Sequence, residues 1–415
     1  MSIPRSHDLR LLAGGAGLSA LGDFMAIFPL ILHVQQRTGS ALAVSALIFA
    51  LWGPVVFVSG WAGALVDRFE NRRILIVVSL LQAAVVGAML AGVDRLWALV
   101  PLMVLLGCGV AVSQPAEFAL VPAAAGPDVD TARANGLMET ARAIGFTAGP
   151  VVGGALGAAG LLWLALALNA LSFLLVAGAA ALLRARRQPV PADATDLTRS
   201  PVRARDGFVL LARQRDLAIT LGGAVAALLV FSMSATAEPF FVTNVLSAGS
   251  LAYGVLLTSW TLGMAAGSAG LAPRVGRAQL AAGALVAVIL QGLGIAGGAL
   301  STVLGVALIG FTFGGVAHGV KNVLLRTLIH ERAPEDMRGR VFAAYNGARN
   351  GAELGALALG GVAVGVLGAR AALLAAGLGP AAIGAACLLL LIMRRRAAAA
   401  PTTNEGSVLH AHIQG

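Results

Sequence analysis

The chain has 415 residues, 58% of them apolar and only 12% charged, against roughly 25% charged in a soluble domain. The missing polar skin excludes a soluble multidomain enzyme and a disordered protein, and leaves room for about a dozen helices of ~20 apolar residues each. The formal net charge of +10 is read as basic loops that orient a membrane protein, not as a nucleic-acid surface. Twelve apolar segments follow in chain order, at 11–33, 41–65, 74–93, 97–121, 137–158, 161–183, 217–242, 250–272, 279–299, 302–328, 341–365 and 371–393. Two charge-free runs, Ala143 to Leu183 and Ala278 to Val320, are each too long for one crossing. They are expected to fold back at tight hairpins at Gly157–Gly160 and at Gly297–Ser301. The expected fold is an all-α integral membrane protein with twelve transmembrane helices in two six-helix pseudo-symmetric bundles.

Arginine placement sets the orientation. With the N-terminus inside, twenty-two loop arginines fall on the inner side and three, Arg37, Arg95 and Arg370, on the outer side. This asymmetry puts both termini on the cytoplasmic side of the membrane. The first segment is read as a retained helix rather than a cleaved signal. The polar stretch 184–216, with Pro189, Pro191 and Pro201 among arginines and aspartates, is the expected cytoplasmic linker. It divides an N-terminal bundle, 1–183, from a C-terminal bundle, 217–396, and 397–415 reads as a disordered tail. Cys108 and Cys387 lie in apolar runs with no CxxC or Cys/His cluster near them. No metal, cofactor or disulfide framework is expected.

The halves look like copies. Gly145, Gly149 and Gly154 recur 206 positions later as Gly351, Gly355 and Gly360; Pro29, Gly39 and Ser40 recur 210 positions later as Pro239, Gly249 and Ser250. Parallel repeats of this kind are a transporter architecture.

Two motifs carry mechanism. After the second segment the chain reads Gly63-Ala-Leu-Val-Asp67-Arg68-Phe-Glu70-Asn71-Arg72-Arg73, a small residue, an acid and then basic residues where a helix leaves the membrane. It resembles the GxxxD(R/K)xGR(R/K) loop of the major facilitator superfamily, with Glu70 and Asn71 replacing the second glycine and next base. The resemblance implies a latch in which Gly63 admits a neighbouring helix and Asp67 pairs with arginine or with a helix N-terminus. A purely topogenic basic loop is the competing reading. The fifth segment carries Gly136, Gly145, Gly149, Pro150, Gly153 and Gly154. This resembles the helix-five signature of exporters in that superfamily, GxxxxxxxxGxxxGPxxGG. Glycines on one stripe allow backbones to approach, and Pro150 favours a kink. Gln114-Pro-Ala-Glu117, Ala134-Asn-Gly136 and Arg338-Gly-Arg-Val341 resemble the branch of bacterial siderophore and macrolide exporters. Met103, four before Gly107, stands where many proton-coupled exporters have arginine, so their relay through that residue does not carry over.

Charges inside apolar spans are costly and therefore functional candidates. Asp23 and Glu353 fall near mid-membrane, and a carboxylate there can load and release a proton. Arg349 lies one turn from Glu353 and can simply neutralise it. Glu238 sits in the outer half, where it suits a vestibule or a cationic substrate. Glu117, Glu139, Arg142, Lys321 and Arg326 are expected nearer the cytoplasm as a gate network beside Gly63, Asp67, Arg68, Arg72 and Arg73. The leading reading is a monomeric secondary transporter that exports a drug, siderophore or secondary metabolite by proton antiport. Its partners would be a small-molecule substrate, protons and membrane lipid, with no nucleic acid. Uptake or lipid flipping by the same fold is the alternative. A membrane enzyme or sensor is disfavoured, because no HExxH or GxxxxGK[ST] pattern is present.

Overall fold

The computed structural model describes residues 7–126, 130–186, 209, 214–335 and 337–399. Most of the expected linker and the tail from residue 400, with Arg187, Arg199, Arg203, Arg205 and Arg213, lie outside the described residues. The described chain is helical, with no strand. The first half comprises α1 (His7–Thr38), α2 (Ala41–Phe57), α3 (Ser59–Arg68), α4 (Asn71–Ala91), α5 (Leu96–Ala125), α6 (Thr131–Ala158) and α7 (Leu162–Leu182). The second comprises α8 (Arg215–Ser232), α9 (Ser234–Phe240), α10 (Ser250–Ala266), α11 (Leu280–Leu300), α12 (Leu304–Arg332), α13 (Arg338–Leu367) and α14 (Ala369–Ala399).

Among the described residues, ten helical stretches are long and apolar enough to cross a membrane, and α2 with α3 makes an eleventh. The glycine-rich α6 is 28 residues long but less apolar. It packs along α1, where Gly145, Gly149 and Gly153 meet the backbone between Gly17 and Met25. The surface is inverted relative to a soluble protein: Leu81, Ile309 and Val366 are 60%, 72% and 78% exposed, while Gln35, Gln82, Asn169 and Gln291 are buried. That is the arrangement lipid demands, because unpaired polar groups cannot face hydrocarbon.

Two expected single helices are broken. Pro54, which has no backbone N–H to donate, precedes the end of α2, and the axis then turns by 53° into α3. The seventh segment ends α8 at Ser232, restarts as α9, and passes Pro239 into a π-helical turn, Phe241–Val245. The chain folds back near both expected places, but the second turn falls later than expected, at 301–303, because Gly297 to Leu300 stay helical at the end of α11. Gly160 takes a φ of +72° between α6 and α7, a conformation that favours glycine. A short turn also links Leu300 to Leu304. Ser40 caps α2 by accepting from the Ala43 N–H at 3.3 Å, and Asp130 caps α6 by accepting from Ala132 at 3.1 Å.

Three apolar cores explain the overall architecture. One, at the end away from the arginine-rich loops, is built from both halves and joins Leu30, Val44 and Met103 to Phe241, Tyr253 and Leu357. The other two lie toward the arginine-rich face, and each is confined to one half. The first gathers Leu9, Leu75, Leu120 and Met138; the second gathers Leu221, Leu285, Leu325 and Val341. The halves are thus fused at the far face and part at the arginine-rich face.

Candidate functional site

Far-face closure is made by close backbone packing. Gly154 on α6 faces Ser250, Leu251 and Gly254 on α10, and Gly254 in turn meets the backbone of Pro150. Thr258 donates to the Thr147 carbonyl at 3.0 Å. On the opposite side Gly361 on α13 lies against Ala41 and Ser45 on α2, Ser45 and Thr236 hydroxyls are 3.0 Å apart, and Gln35 donates to Thr243 at 2.6 Å.

Below this seal lies a cavity with about 1520 Å³ of empty space, open solvent at its mouth included. Its charged lining residues, among the described residues, are Asp23, Glu117, Arg142 and Glu238. Asp23 stands on α1 beside Asn169 of α7. The helices approach here because Gly22 has no side chain: a Cβ would lie 2.6 Å from the Asn169 Oδ1. One Asp23 oxygen is buried without a hydrogen-bond partner. Glu117 on α5 and Arg142 on α6 form a buried ion pair, and the guanidinium sits 4.7 Å from the centre of the Phe118 ring. Glu238 on α9 accepts from Ser234 at 2.9 Å. An aromatic row connects the acids: Phe146 edge-on to Phe24 at 4.4 Å, Phe24 to Phe28 at 5.6 Å, and Phe28 edge-on to Tyr253 at 5.6 Å.

The structure separates residues that the sequence grouped. Glu117 and Arg142, expected in a gate, line the cavity, whereas Glu139 and Arg326 are exposed. Lys321 is buried in the second half, outside the cavity lining, and donates to Gln291 at 2.9 Å with His318 Nδ1 at 3.2 Å. Arg349 and Glu353 are half-exposed and bonded to each other at 3.1 Å; neither lines the cavity.

In the basic loop, Asp67 and Arg68 are exposed, and a side chain at Gly63 would meet nothing within 4 Å. The expected close approach of a neighbouring helix at Gly63 is absent because the halves are apart at this face. Arg72 donates to the carbonyls of Ala180 and Ala181 at the end of α7, and Arg73 pairs with Glu70 at 2.9 Å.

Within the glycine motif, Gly136 is exposed, Gly145, Gly149 and Gly153 seat α1, and Gly154 touches the second half. Asn169 and Tyr253 were not singled out from the sequence. An isolated amide in a charge-free membrane run was the available signal for Asn169; Tyr253 gave none, because its role depends on which helix faces Phe28.

The family model for the Major Facilitator Superfamily matches residues 12–356. The chain is 25% identical over 393 residues to the uncharacterized MFS-type transporter YfiS of Bacillus subtilis (strain 168), covering 89% of each chain. It is 36% identical over 125 residues to the class C tetracycline resistance protein of Escherichia coli, covering 30% of this chain and 29% of that protein. Among solved structures, the nucleoside transporter NupG is similar with a TM-score of 0.73 at 12% identity, over 93% of this chain and 99% of that one. The POT family transporter PepTSo gives 0.70 at 11% identity, over 96% and 99%.

Proposed function

Because the chain belongs to the major facilitator superfamily, and so is a multi-pass transporter of a small molecule rather than an enzyme, we propose that it exports a small organic molecule by proton antiport. The observation that carries this reading is the cavity with uncompensated carboxylates below a far-face seal, with separate half-cores at the arginine-rich face. Positive loops favour the cytoplasm, so the conformation described is the one that loads substrate from inside. Both termini then lie in the cytoplasm, and the membrane is the bacterial cytoplasmic membrane.

Asp23 and Glu238 are the proton-coupling and substrate candidates on the two sides of the cavity. Arg349 and Glu353 form an ion pair that can rearrange when the second half moves. Closing the arginine-rich face would bring Gly63, Asp67 and Arg68 toward the second half, remaking the latch while the far-face seam parts. Two halves rocking about a central site is the motion that repeat transporters use. The glycine contacts of α6, with α1 inside its half and α10 across the seam, support export by placing the exporter-like motif at the moving joint.

The test is transport in proteoliposomes with an imposed pH gradient and a panel of drug-like molecules and metal chelators. Substrate should move opposite to the proton flux. Movement in the same direction as protons, or indifference to the gradient, would overturn the antiport reading.

A further inference from the structure

The cavity selects charge as well as shape. Three carboxylates line it against one guanidinium, and that guanidinium is already engaged by Glu117 and by the Phe118 face. Asp23 and Glu238 therefore have no cationic partner among the described residues. Asp23 makes the stronger statement, because one of its oxygens is buried and makes no hydrogen bond, and it lines the cavity. Keeping an acid in a dry wall with that oxygen unbonded is costly, which marks Asp23 as retained for the chemistry of the cavity.

Between these acids runs the row Phe146, Phe24, Phe28, Tyr253. Phe24 follows Asp23 in sequence, and Tyr253 lies near Glu238. Aromatic faces attract cations, most strongly where water is excluded, and their edges pack flat apolar bodies. An anion would find no free cation in the lining among the described residues, because its one guanidinium is already taken by Glu117. The basic residues of the second half do not reverse this: Lys321 and Arg349 lie outside the lining and are held by Gln291 and Glu353.

We propose that this cavity binds lipophilic organic cations, an aromatic or bulky apolar body with one positive charge, seated on the Phe24–Phe28–Tyr253 row with the charge at Asp23 or Glu238. This deepens the export reading by naming the substrate class of the same cavity.

The experiment uses the full chain in nanodiscs and two probes of the same shape and opposite charge, tetraphenylphosphonium and tetraphenylborate. Binding is measured by equilibrium dialysis, with protein-free nanodiscs subtracted. Saturable binding of tetraphenylphosphonium is expected, with tetraphenylborate at least tenfold weaker. The double variant Asp23→Asn/Glu238→Gln and the single variant Phe24→Ala are each expected to weaken the cation at least tenfold. Thermal unfolding identifies any variant that has lost its fold, and the comparison of the two probes on the unaltered protein stands without any variant. Absence of saturable tetraphenylphosphonium binding, equal affinity for the borate, or full affinity in the folded double-acid variant would overturn the proposal. If the cation binds but a pH gradient does not drive it across liposomes, the coupling reading fails and the substrate class stands. If the gradient drives neutral compounds while the cation does not bind, the substrate class fails and the coupling stands.

Discussion

Gly154 sits where the halves meet, and a single methyl group there should move the whole transporter. An alanine Cβ at this position would lie 2.7 Å from the Ser250 carbonyl oxygen, 3.1 Å from Gly254 Cα and 3.2 Å from Leu251 Cα. All three are backbone atoms of α10 and cannot rotate away, so the seam must open by several tenths of an ångström. Overpacking of this kind costs about 1–3 kcal/mol. Because the contact spans the halves and must be lost when the far face opens, that cost falls on the conformation described here and not on its alternate. Gly154→Ala should therefore shift the ratio of far-face-closed to far-face-open molecules by roughly 5- to 150-fold. Gly145→Ala is the control. Its Cβ would lie 2.7 Å from the Leu21 N and 2.9 Å from the Ala20 Cβ, inside one half in both conformations, so it should lower the melting temperature without shifting the ratio. The assay is a double electron–electron resonance distance between spin labels at Gln36 and Val303, both exposed on the far face, in a background with Cys108 and Cys387 replaced. A Gly154→Ala protein that stays folded with an unchanged distance distribution would refute the assignment of this seam as the far-face gate.

Other substitutions separate coupling from structure. Asp23→Asn should abolish pH-gradient-driven transport in vesicles while leaving expression intact, read as substrate flux with and without the gradient. Glu117→Gln should leave Arg142 buried and unpaired, at a cost of about 3–5 kcal/mol, seen as a large fall in melting temperature. Lys321→Gln should behave oppositely. Among the described residues the Lys321 amine forms no ion pair within 4.0 Å of a carboxylate, and its hydrogen-bond partners are Gln291 and His318. Removing the charge should leave the melting temperature unchanged or raise it, and a fall as large as that of Glu117→Gln would show that Lys321 is ionically paired.

Much of the fold was legible because membranes impose simple rules. Span length and the fold-back after α6 depend on local composition. The break at Val58 was not, because Pro54 within an apolar run is compatible with either a straight or a bent helix. The candidate site was half legible. Burying a charge is expensive wherever it happens, which flagged Asp23, Glu117, Arg142 and Glu238 without any knowledge of contacts. That Glu117 finds Arg142 and not a partner at the surface, or that Arg349 takes Glu353 while Lys321 takes Gln291, is decided by helix rotation. Helix rotation in an apolar chain is set by small-residue packing across neighbours, such as Gly22 against Asn169, and no periodicity of hydrophobic residues reports it where lipid and protein interior are equally greasy.

The far-face core, shared by the two halves, has a price in turnover. On the rocking motion proposed above, each transport cycle dissolves part of the packing that keeps the chain folded and leaves each half to stand on its own smaller core until the seam re-forms. Substitutions that strengthen this seam should therefore yield a hardier protein that works slowly, and sequence drift at Gly154, Gly254 or Gly361 should be policed by speed as much as by folding.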